Sequence, residues 1–71
     1  MKVEYSKVEE LLKEHKSLTA DEIAEKLGLE ITQENRKKVM FDVRKQARKV
    51  VDKNSGKRTE YNDDKKLIYS I

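Results

Sequence analysis

The sequence has no cysteine, no proline and no tryptophan, one histidine, one phenylalanine and two glycines in 71 residues. Without cysteine there is no disulfide staple, no thiolate zinc site and no cysteine nucleophile. A single histidine does not build a His-rich metal site, and two glycines do not build a phosphate-cradling loop. No run approaches the roughly 20 apolar residues of a membrane span. The start Met1-Lys2-Val3-Glu4 lacks a signal peptide's apolar stretch. Hydrophobic residues are 35% and aromatics 6% of the chain. A single domain with so small a core gains only about 3–5 kcal/mol from it. Little remains to hold a deep pocket open.

Charge is what the sequence does have. Charged residues make up 44%, with 17 Lys or Arg against 14 Asp or Glu and a net of +3. They are unevenly spread. Residues 1–32 hold five Lys against eight carboxylates, a net of −3. Residues 33–53 hold eight cations against three carboxylates, a net of +5, and residues 54–71 hold four against three. A basic segment concentrated in mid-chain points to a polyanionic partner, with a solvated helix face as the plainer alternative.

Local signals divide the chain into elements. Ser6-Lys7-Val8-Glu9 has the form of a capping box, followed by Val8, Leu11 and Leu12 at helical spacing, with His15 continuing their stripe. A first helix is predicted over about 7–15, and Lys16-Ser17-Leu18 as a linker or a stub of strand. Thr19-Ala20-Asp21-Glu22 is a second capping box, with Leu18 and Ile23 placed as a hydrophobic staple and Gly28 as the stop. This predicts a second helix over about 20–27. Thr32 is the next cap, and Val39, Met40, Val43, Ala47, Val50 and Val51 then recur every three or four residues. A third helix is expected over about 33–53, although the β-branched Val50-Val51 could also begin a strand. Beyond Gly56, the turn-forming Asn62-Asp63-Asp64-Lys65 separates two short strand-like runs, a β-hairpin over about 57–71.

The order helix, short helix, turn, long basic helix, hairpin resembles a winged helix-turn-helix domain over nearly all 71 residues. The residues that carry the resemblance are Leu18-Thr19-Ala20-Asp21-Glu22-Ile23-Ala24-Glu25-Lys26-Leu27-Gly28-Leu29. Ala24 is small enough for a close helix crossing, and a glycine follows four residues later. The turn is longer than in the compact motif, by Leu29 to Thr32. The hairpin carries its basic pair Lys57-Arg58 at the strand entrance, with an acidic tip at Asp63-Asp64. The resemblance implies an α+β fold, three helices with a C-terminal β-hairpin wing, and a third helix lying in the DNA major groove.

Around the third helix, Glu34, Lys37, Lys38, Phe41, Lys45, Arg48 and Lys49 fall opposite the apolar stripe, with Arg44 at the border. Long cations on successive turns of one face are what phosphate contact needs. Candidate base readers are Gln33, Asn35, Lys37, Lys38 and Phe41: amides suit adenine, cations guanine, and an aromatic ring the thymine methyl. Asn35 could instead cap the helix. Phe41 could instead pack under the first helix or the hairpin. Arg44, Lys45, Arg48, Lys57 and Arg58 are candidate phosphate contacts. Ala47, Val50 and Val51 would be interface residues if the third helix pairs with another chain.

His15 is read as half-buried and hydrogen-bonded, and Tyr5, Tyr61 and Tyr69 as roofing the core. The carboxylates form solvated faces with no pair oriented in a cleft, so no enzyme and no cofactor are expected. The resemblance implies a small transcriptional regulator that binds double-stranded DNA, with a homodimer if its site is palindromic, in the cytoplasm or on a prokaryotic nucleoid. No membrane or small-molecule partner is expected. Two rivals are an RNA-binding winged helix of ribosomal type and a protein-interaction module using the third helix.

Overall fold

The computed structural model describes residues 3–71, in the order α1 (Tyr5–His15), β1 (Ser17–Thr19), α2 (Ala20–Lys26), α3 (Arg36–Lys53), β2 (Lys57–Tyr61) and β3 (Leu67–Ser70). The fold is α+β, three helices with a small antiparallel sheet, a topology compatible with a winged helix. Chain order and sheet order differ. The strands lie β1-β3-β2, so the last strand is the middle one. Ser17, Leu18 and Thr19 pair with Ser70, Tyr69 and Ile68, which makes the expected stub of strand a full member of the sheet. The hairpin pairs Lys57 with Ser70 and Tyr61 with Leu67, with an irregularity between Lys57 and Glu60.

The capping box at Thr19 forms as expected. The Glu22 N–H donates to Thr19 Oγ1 at 3.2 Å, and the Thr19 N–H donates to Glu22 Oε1 at 3.1 Å. Leu18 and Ile23 are both buried beside it. At the other end, Gly28 takes φ +69°; its N–H donates to Glu25 O and the Leu29 N–H to Ala24 O, a Schellman motif. The same pair of bonds ends α3, where the Ser55 N–H reaches Asp52 O and the Gly56 N–H reaches Val51 O. There the left-handed residue is Ser55, at φ +55°. Gly56 serves closeness instead: a Cβ on it would stand 1.9 Å from the Ser70 carbonyl oxygen.

The other expected box does not form. α1 begins at Tyr5 after Glu4, with no side-chain cap, because half-buried Tyr5 packs on the core and draws the helix start forward. Glu9 is engaged elsewhere, accepting from the Tyr5 hydroxyl at 3.4 Å and from Asn54 Nδ2 at 3.3 Å. It thereby ties α1 to the end of α3. α3 starts at Arg36, three residues later than expected. Thr32 and Asn35 exchange side-chain bonds (Asn35 N–H to Thr32 Oγ1, 3.2 Å; Thr32 N–H to Asn35 Oδ1, 2.7 Å) and hold Gln33 to Asn35 as a turn.

Core residues come from every helix and from the middle strand: Val8, Leu12, Ile23, Ala24, Val39, Met40, Val43, Ala47, Val50, Val51 and Tyr69 among them. Val50 and Val51 stay helical and lie in this core, as does Ala47, so none of the three is offered to a partner chain. His15 is exposed at the end of α1 rather than half-buried. Tyr61 is also exposed, at 66%, and does not roof the core; every residue of β2 faces solvent. No helix among the described residues is long and apolar enough to cross a membrane.

Candidate nucleic-acid interface

α3 is an 18-residue helix, about 27 Å long at 1.5 Å per residue. One side of it is consumed by the core. The other side carries Lys37, Lys38, Phe41, Arg44, Lys45, Arg48 and Lys49, all exposed. Among the described residues, ion pairs join Lys13 to Glu9, Arg58 to Asp52 and Lys66 to Asp21. None of them uses a cation from the outer face of α3. That face therefore holds charge that the fold leaves unneutralised.

Phe41 stands in the middle of these cations with 60% of its surface exposed. The expectation that it packs under α1 or the hairpin is corrected: on α3 it lies a full residue outside the buried stripe of Val39, Met40 and Val43. Gln33 is exposed in the turn before the helix. Asn35 is spent on that turn, its Oδ1 accepting from the Thr32 N–H and its Nδ2 donating to the Glu30 carbonyl at 3.1 Å. Asn35 stands at the N-cap position, but its side chain makes no capping bond to α3; both ends of the amide bind the preceding turn. Lys57 and Arg58 open β2, both exposed, with Arg58 Nε 3.3 Å from Asp52 Oδ1 at the end of α3.

The basic surface continues onto the sheet. A groove of about 310 Å³ lies between the start of α2, α3 and the hairpin, and Arg36, Arg44, Lys65 and Lys66 line it together with Asp21 and Tyr69. Partial burial raises the pKa of the Tyr69 hydroxyl, and the positive field of Arg44, Arg48 and Arg58 opposes that rise. Of these, Arg44 lines the groove beside Tyr69, whereas Arg58 is held by Asp52 at the end of α3. Sequence reasoning missed Arg36, Lys65 and Lys66. The two lysines are placed by the hairpin turn: the Asn62 side chain accepts from the Asp64 and Lys66 N–H groups, Lys65 takes φ +61°, and both lysines line the groove beside Arg36 and Arg44. Asp63 and Asp64 remain at the tip.

No family model, curated protein or solved structure matches this chain.

Proposed function

We propose that this protein binds double-stranded DNA through the outer face of α3, as a small regulator of transcription. The carrying observation is the row of exposed cations Lys37, Lys38, Arg44, Lys45, Arg48 and Lys49, none of which is ion-paired to a carboxylate among the described residues. A helix of this length lies along a major groove, and cations on its successive turns reach phosphates on either side. Lys57, at the entrance to β2, and Arg36 and Lys65 in the groove extend the contact to a second stretch of backbone, while Lys66 there is paired with Asp21. The acidic first third of the chain supplies the support and keeps its carboxylates away from the duplex. Gln33 sits at the leading end of α3, where base edges are read.

The test is a fluorescence-anisotropy titration against mixed-sequence duplex DNA, repeated from low to physiological salt. Affinity should fall with a log–log slope equivalent to about four to six released counterions. Replacing Lys37 and Lys38 together by Ala should shrink that slope by about two while leaving the melting curve in place. Equal affinity in the double variant would remove α3 from the interface. No binding at low salt would turn the search to a protein partner for the same face.

A further inference from the structure

We infer that Phe41 reads the C5-methyl group of thymine, so that the duplex under the middle of α3 carries a T·A pair and is DNA rather than RNA. This rests on the duplex-binding reading above. A single exposed apolar residue is ordinary on a protein surface. This one is set apart by where it stands. On a helix, Lys37 and Lys38 lie one turn before it and Arg44 and Lys45 one turn after, all exposed. The cation–ring contact among the described residues belongs to Lys53 and Tyr5, at 5.5 Å, so the ring of Phe41 is left open.

If those four cations grip phosphates flanking a groove, Phe41 is the side chain between them that faces the base edges. It has no donor or acceptor to offer. The major-groove floor presents hydrogen-bonding atoms at every base pair and one apolar group, the thymine methyl. That methyl is what a phenyl ring can bury there. Uracil lacks it, and the A-form major groove is too deep and narrow for side chains to read. The residue that the core leaves exposed therefore gives the surface a reason to prefer one base and one kind of nucleic acid.

The probe is a pair of duplexes of equal length, alternating dA-dT and alternating dA-dU, which differ only in the methyl groups. The wild-type chain should bind the dA-dT duplex about fourfold more tightly, the worth of burying one methyl-sized group. Phe41→Ala should bind both equally, and Phe41→Leu should keep part of the preference. Comparing the variants on the same two duplexes cancels any difference in the shape of the DNA. Equal binding of both duplexes by the wild type overturns the inference and leaves duplex binding standing. A preference that survives in Phe41→Ala also overturns it. Binding of neither duplex at low salt overturns the duplex reading itself, and the inference with it.

Discussion

Met40 and Phe41 are neighbours in the chain and opposites in the structure: Met40 is 3% exposed, Phe41 60%. A rotation of about 100° around α3 separates the buried side of the helix from the exposed one. On the inner side, Val39, Met40, Val43, Ala47, Val50 and Val51 are all buried, and no charge falls among them. On the outer side, six cations and one aromatic ring are exposed, and none of the six is ion-paired among the described residues. Core packing accounts for the first set and leaves the second largely exposed, so the outer set is where a function is sought.

Met40→Ala should break the comparison from the inside. Removing a buried thioether side chain costs about 2–5 kcal/mol, a large share of the stability of a domain this size. Phe41→Ala should move stability by less than about 0.5 kcal/mol. Urea melts of the two variants side by side measure the difference, and similar losses would erase the distinction between the two faces.

The end of α3 allows a finer contrast between adjacent residues. Gly56→Ala forces a methyl onto the Ser70 carbonyl, so the middle strand must shift, at about 1–3 kcal/mol. Ser55→Gly relieves a left-handed serine and should stabilise by about 0.5–1 kcal/mol. Thermal melts should show opposite signs for these two changes. The same sign for both would mean that the local conformation described for Ser55 and Gly56 is not what limits stability there.

The smallest effect lies where α1 meets α3. The hydrogen bond from Asn54 is the chief cause holding the Glu9 carboxyl below its ordinary pKa; partial burial opposes it, and Lys13 and Lys53 reinforce it. A carboxyl whose folded pKa is depressed adds stability above its unfolded value, and that stability is lost as the pH falls through the folded value. Melting temperature should therefore drop on acidification below about pH 4.5 by more in the wild type than in Glu9→Gln. Parallel acid profiles would remove Glu9 from the helix tie.

The parts of the fold legible in the sequence are those in which local chemistry and tertiary packing agree. Thr19 and Glu22 cap α2 with bonds that reach only three residues, and Gly28 ends it with a conformation of its own. The inner stripe of α3 repeats often enough to outweigh the strand preference of Val50 and Val51. Ser6 failed where Thr19 succeeded because α1 starts at Tyr5, which leaves Ser6 inside the helix, and Glu9 bonds Asn54, 45 residues away. β1 is three residues long and has no period, so its place in the sheet comes only from β3. For the candidate interface, the outer cations of α3 follow from helical spacing alone. Lys65 and Lys66 could not be placed with them, because their position depends on how the Asn62 turn folds back toward Arg36 and Arg44.

The strand order has a consequence for how the molecule assembles. β1 and β2 never touch as neighbours; each pairs only with β3. Thr19 meets Ile68 across a loop that encloses α2, α3 and β2. Two-thirds of the sheet thus waits for the last strand, and until those four residues arrive there is no hairpin and no sheet to nucleate upon. The helices form from local contacts, which are fast, whereas closing the sheet requires the longest loop in the fold, which is slow. The groove that gathers Arg36, Arg44, Lys65 and Lys66 depends on the same long-range closure, since two of its cations stand on α3 and two on the turn that leads into β3.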